Sequence, residues 1–290
     1  MGVEALSLEA IEHYFAIDKF DRVVELGKKA LESRYDDAFL WYMLGYSNYR
    51  LKKYEEAEEQ LFQSADLGYN RDIILYILGH IYIETERWKD AEDAFLEALR
   101  IDPNDAHIHA SYAYLMKIMG HRKKARLLLE KALELDPTNS SALRMYFQTE
   151  ALVNNSEKER MTVLEQYMQS DDTEISKHVQ LGLNAAFQDR AKEARDHFRQ
   201  AYLLNPENME LLKTVEEMEI AAHPLMAPNR LIDRMGGPIS FWLLYIVSVI
   251  ILFVLNLDEL GTYWAIAYIF IAIYTWISES LVRLIRKISR

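Results

Sequence analysis

Residues Asp72–Asp105, DIILYILGHIYIETERWKDAEDAFLEALRIDPND, read as two amphipathic helices in one 34-residue unit. Gly79 sits among large apolar side chains in the first helix, small Ala91 and Ala98 lie in the second, and Asp102-Pro103 closes the unit. The neighbouring sequence repeats it. Ala57, Ala91 and Ala125 are 34 residues apart, and Ala194 falls one residue beyond two further periods. A small side chain recurring at a fixed spacing marks places where helices approach closely, and a period of this size predicts a stack of repeats.

Working outward, the first unit runs from about Val3 to Asp37 and the second over residues 38–71, opening Trp41-x-x-Leu44-Gly45 and continuing through Tyr54, Ala57 and Ser64 to Tyr69, which stands where a terminal Pro is expected. Residues 106–139 form a fourth unit, with Gly120 at the interhelix turn, Ala125 and Ala132 at close contacts, and Asp136-Pro137 at the end. Proline cannot continue a helix and disfavours helical geometry in the residue before it, so each Asp-Pro pair is a stop signal. The fifth unit, about 140–174, is degenerate: Glu159 and Gln166 fall at the usual small positions, and the turn reads Val153-Asn154-Asn155-Ser156. A sixth recovers the pattern with Leu181-Gly182, Ala194, Phe198, Ala201 and Asn205-Pro206. Residues 208–222 then supply a Glu- and Met-rich helix of the kind that covers the open end of a stack.

Composition agrees. Half of the 290 residues are hydrophobic, while ten glycines and six prolines are few for a chain with many turns, which favours an all-α fold. No cysteine is present, excluding disulfides, thiolate metal sites and thiol nucleophiles. The net charge is −12, and only six basic and four acidic residues lie beyond His223, so the region before it is strongly acidic and repels phosphate backbones. Nucleic acid is therefore not an expected partner.

The order Trp-x2-Leu-Gly-x2-Tyr, Ala-x3-Phe, Ala, Pro resembles the tetratricopeptide repeat family over about 220 residues, most clearly in units two, three, four and six. The resemblance implies a right-handed superhelical solenoid of antiparallel helix pairs whose concave groove grips a peptide or helix. It places Tyr42, Tyr46 and Tyr49 of unit two, Tyr76, His80 and Ile83 of unit three, and Tyr114 of unit four along that groove. Tyrosine suits recognition because it offers a large surface at little cost in rotamer entropy. The alternative is that these rings pack between successive repeats. Some family members clamp a carboxylate with Lys, Asn and Arg, but here Tyr42, Met43, Tyr46 and Ile77 stand at such positions, so an amphipathic helix or apolar peptide is the expected partner.

No catalytic constellation appears. His107 and His109 point in different directions from one helix and make a poor metal set with His121; Glu55, Glu56, Glu58 and Glu59 form a solvated face; and no phosphate loop, nucleophile elbow or HExxH occurs. No enzyme activity, metal or cofactor is expected. The start, MGVEALSLEAIEHYF, lacks a secretory pattern, and Leu6 stands where myristoylation needs Ser or Thr.

After His223 the composition changes. Residues 1–223 are read as the solenoid domain, 224–238 as a Pro/Gly linker, and 239–290 as a transmembrane helical hairpin with a basic tail, its spans at 239–257 and 260–277. At about 1.5 Å per residue each span approaches the hydrocarbon thickness of a bilayer. Arg230 and Arg234 precede the spans and Arg283, Arg286, Lys287 and Arg290 follow them, whereas the connection holds Asp258 and Glu259, so both ends are expected in the cytoplasm. Trp242, Tyr274 and Trp276 are expected at the cytoplasmic interface, with Tyr263 and Trp264 at the other. The expectation is a membrane-anchored cytoplasmic adaptor that recruits a protein partner to the lipid bilayer. The alternative is an accessory subunit of a transport or secretion complex, with the hairpin packed on another integral membrane protein.

Overall fold

A computed structural model describes residues 8–151 and 157–289. The described residues form α-helices joined by short turns, with no strand. They fall into two compact units, one ending at Asp171 and one beginning at Asp172.

The first unit contains α1 (Leu8–Ala16), α2 (Phe20–Ala30), α3 (Ala38–Arg50), α4 (Tyr54–Asp66), α5 (Arg71–Glu84), α6 (Trp88–Ile101), α7 (Ala106–Ile118), α8 (Arg122–Leu135), α9 (Ser140–Tyr146) and α10 (Glu157–Gln169). Each helix packs on the next. The odd-numbered helices also touch one another from α1 through α9, so they line a continuous face. The predicted helix stops hold, since α6 and α8 end immediately before Asp102 and Asp136.

The interhelical contacts explain the small residues. A Cβ built on Gly79 would stand 2.6 Å from Phe95 Cε1, and one on Gly45 would stand 2.8 Å from Leu61 Cγ, closer than real side-chain atoms come. Ala57, Ala91 and Ala125 are buried on the opposing helices. The turns repeat too. Asp18, Lys52, Glu86 and Gly120 have positive φ and lie 34 residues apart. After each, the next backbone N–H donates to a carbonyl five residues back, as from Arg87 to Tyr82 at 2.8 Å, which closes the helix end. Helix starts follow the same spacing: Asp105, Asn139 and Thr173 each accept a backbone N–H from the first helical turn.

Unit five departs from the pattern and corrects the sequence reading. Arg160, Leu164 and Tyr167 are the residues α10 buries, while Glu159 and Gln166 are exposed. Arg160, 34 residues before Ala194, therefore takes the small-residue position, and bulky Phe147 is fully buried on the facing strand of chain. Phe147–Ala151 is a π-helical turn, which takes up one residue more than an α-helical one and accounts for the one-residue offset in the period. The expected turn at 153–156 lies outside the described residues.

The second unit contains α11 (Glu174–Phe187), α12 (Ala191–Leu204), α13 (Met209–Ala222), α14 (Ala227–Arg234), α15 (Gly237–Val254) and α16 (Asp258–Ser289). Helices α11 and α12 repeat the close approach: a Cβ on Gly182 would lie 2.9 Å from Phe198 Cζ, and Ala194 is fully buried. The segment after His223 is a single 3-10 turn followed by α14, and α16 runs well past the expected span end at Ile277.

Two glycine substitutions separate packing from backbone strain. Gly79→Ala is expected to destabilise the fold by about 1–3 kcal/mol through overpacking. Gly120→Ala has open space around its Cβ and is expected to cost about 1 kcal/mol from the positive φ alone. Urea unfolding followed by helical circular dichroism measures both, and a parental midpoint for Gly79→Ala would refute the close approach.

Candidate functional site

On the face formed by the odd-numbered helices, Tyr42, Tyr46 and Tyr49 of α3 and Tyr76 and His80 of α5 are half-buried, and Tyr114 of α7 is exposed. Helical spacing puts them on one side of each helix, and the 34-residue period puts His80 and Tyr114 in line with Tyr46. Ile83 does not share this face: it is buried in the core around Phe95. Met43 and Ile77 are buried as well and present no side chain to a ligand. One further turn of α5 rotates position 83 inward, which a row drawn from spacing alone overlooks.

The tyrosines pack on one another and on rings that the spacing did not single out. Tyr42 stacks on Tyr69 with centroids 4.5 Å apart and on Phe39 at 6.0 Å, and Phe15 stands edge-on to Tyr46 at 5.4 Å. Arg50 donates to the Tyr46 hydroxyl at 3.0 Å and lies 4.6 Å over the Phe20 ring. The sequence signal for Tyr69 was its place at the end of unit two, where the repeat ordinarily has proline. Burial pushes the Tyr42 and Tyr49 hydroxyls up to about 12, with lesser contributions from neighbouring tyrosines and, for Tyr49, Glu84. Both therefore remain protonated donors at neutral pH. Beyond Tyr76, between the first turns of α5 and α7, a cavity of about 310 Å³ is lined by Asp72, Ile73, Tyr76, Asp105, His107 and Ile108.

The histidines expected to be a poor metal set are separately engaged. His107 Nδ1 meets Asn139 Nδ2 at 3.3 Å and His109 Nε2 lies 3.0 Å from the Pro103 carbonyl oxygen. Among the described residues no group of three His, Asp or Glu is placed to hold a metal ion.

In the second unit α15 and α16 pair as an antiparallel hairpin around Asn256. Tyr245 stacks on Tyr268 with centroids 4.0 Å apart, and Trp264 Nε1 donates to Ser248 Oγ at 2.7 Å. Trp264 thus turns across the hairpin, while Tyr263, Trp242 and Trp276 are exposed. None of residues 237–254 is buried, and both helices are long and apolar enough to cross a membrane. Several residues expected at the membrane interface make protein contacts. Arg230 donates to the carbonyls of Ala221 and His223 at the end of α13, and Arg234 pairs with Asp189 at 3.3 Å. The Tyr274 hydroxyl donates to the Leu225 carbonyl at 2.8 Å, and Arg286 pairs with Glu219. The last of these contacts comes from the long α16, whose Ser278 and Val282 are fully buried and whose Arg286 reaches α13.

Burial also perturbs His80 on the candidate face. Its ring packs edge-on to Tyr76 at 4.7 Å and Phe95 at 5.7 Å, Nε2 lies 3.1 Å from Ser111 Oγ, and burial lowers its pKa to about 4. The unfolded chain takes up this proton near 6.5 and the folded chain only near 4. Between those values the unfolded state binds more protons, so the stability from neutral His80 is complete above pH 6.5 and is lost as pH falls toward 4. The slope is at most about 1.4 kcal/mol per pH unit. His80→Gln is expected to remove this component, so the difference in unfolding free energy between parent and variant changes across that window; a pH-independent difference would contradict the assignment.

Models of the tetratricopeptide repeat match residues 13–69, 73–105 and 106–139. None of the curated proteins matches the sequence. Among solved structures, yeast Tom70 is similar at 18% identity and a TM-score of 0.59, covering 73% of this chain and 46% of its own, so the chain spans less than half of that structure. A tetratricopeptide repeat protein from Parabacteroides merdae is similar at 14% identity and a TM-score of 0.61, over 75% of this chain and 86% of its own. PilW, a type IV pilus biogenesis factor, is similar at 17% identity and a TM-score of 0.56, over 71% and 95%. At these identities the likeness is one of fold. Residues 13–69 and 73–139 match the tetratricopeptide repeat, and two apolar C-terminal helices are candidate membrane spans.

Proposed function

We propose that this protein is a membrane-anchored adaptor: its repeats hold a protein partner on the tyrosine face of α3, α5 and α7, and the α15–α16 hairpin fixes them to a bilayer. The observation that carries the reading is α15, an apolar helix with no residue buried by the rest of the chain. A helix apolar on all sides is stable only inside a large protein or in lipid. With arginines flanking the hairpin and acidic residues in its connection, the repeats lie on the cytoplasmic side. Anchorage raises the effective concentration of repeats and partner at the surface, so a moderate affinity suffices. The role is binding rather than catalysis.

The face supports an apolar or amphipathic helical segment as occupant. Its rings supply flat apolar area with protonated hydroxyls at the edge, and the cavity beside Tyr76 has room for one large side chain.

Photocrosslinkers at Tyr76 and Tyr114 in native membranes are expected to capture a soluble protein, and Tyr114→Ala, which removes an exposed ring without opening the core, is expected to weaken that capture about tenfold or more. Crosslinks formed only from Ser248, to an integral protein, would instead make the chain a subunit of a membrane complex. Protease added to the cytoplasmic side of sealed vesicles should digest the repeats; their protection would reverse the topology.

A further inference from the structure

The last turns of α16 present two faces. On one, Val282 is buried, and Arg286 is committed to α13: Nη1 donates to the Glu216 carbonyl at 3.1 Å and Nη2 to the Glu219 carboxylate. On the other, Leu281, Leu284, Ile285 and Ile288 are exposed at i, i+3, i+4 and i+7. That stripe continues the exposed apolar surface of Ile273 and Ile277, so the lipid-facing side of the helix extends past the expected span.

Between α13 and α16 lies a cavity of about 270 Å³, lined by Glu216, Ile220, Arg283, Arg286 and Lys287. Arg283 is exposed and pairs with Glu279 at 2.7 Å. Lys287 is exposed too, and no ion pair to it occurs among the described residues. A hydrocarbon core of about 30 Å takes up about 20 residues of α16, so Arg283 leaves it within about 6 Å, and Lys287 reaches back toward the headgroups with a flexible side chain.

We propose that this cavity holds the headgroup of an anionic phospholipid. Arg283 and Lys287 meet the phosphate, Ile220 closes the apolar side, and the acyl chains run back toward the exposed Ile273 and Trp276. Charge complementarity and continuity with the lipid-facing surface select this occupant over a protein helix, which would have to bury two exposed cations. The proposal rests on the membrane anchorage proposed above. It adds a preference for anionic bilayers, with the site on the side that carries the repeats.

The test uses the full chain reconstituted into phosphatidylcholine vesicles, alone or with about one third phosphatidylglycerol, followed by flotation and native mass spectrometry of lipids retained after detergent extraction. Enrichment of phosphatidylglycerol over its share in the vesicles is expected. Removing both cations in Arg283→Gln/Lys287→Gln should lower retention about fivefold per cation while flotation and helicity persist. Flotation with unbiased lipid retention, or undiminished enrichment in the double variant, overturns the site and leaves anchorage standing. Failure to float on either vesicle overturns anchorage and the site together.

Discussion

In units two, three and six the two helices come so close that one of them can carry no side chain at the crossing. At Gly79 even a methyl carbon would stand 2.6 Å from the Phe95 ring, well inside van der Waals contact, and Gly45 against Leu61 and Gly182 against Phe198 are nearly as tight. Everything regular in the fold is compatible with that approach. Buried alanines on the second helix accept the first, positive-φ residues turn the chain back in the fewest residues, and side-chain caps start the next helix at the same interval. The surface between these fixed points is left free, and there the tyrosines collect.

Unit five shows what happens when the constraint is relaxed. Phe147 and Arg160 stand where units two and three have glycine and alanine, so the close crossing of those units is impossible, and the first helix continues into a π turn. A buried guanidinium there needs polar company, and Glu157 lies 3.9 Å from it. The boundary between the two compact units falls one loop later, at Asp171.

Much of this was legible because the sequence encodes sterics directly: the recurrence of glycine, alanine and Asp-Pro follows from where chains cross and stop. Contacts that depend on rings meeting between a helix and a turn were not. The Tyr42–Tyr69 stack joins α3 to the turn before α5, and no period links those positions. Ile83 was misplaced for a related reason, since spacing alone cannot say how far inward a helix end rotates. The end of α16 was hidden differently. The expected span closes at Ile277, yet Glu279 and Arg283 beyond it pair within the same helix. Beyond them Arg286 bonds to Glu216 and Glu219 of α13, a tertiary contact that no spacing reveals.

The unbroken course of α16 has a mechanical meaning. From Asp258 to Ser289 there is no proline, no glycine beyond the first turn at Gly261, and no interruption of the helix. A stiff rod of that kind has no joint. If its first turns lean, its far end swings with them, and Arg286 passes the movement to α13 as a torque. The helix that follows the last repeat is thereby geared to the orientation of the hairpin.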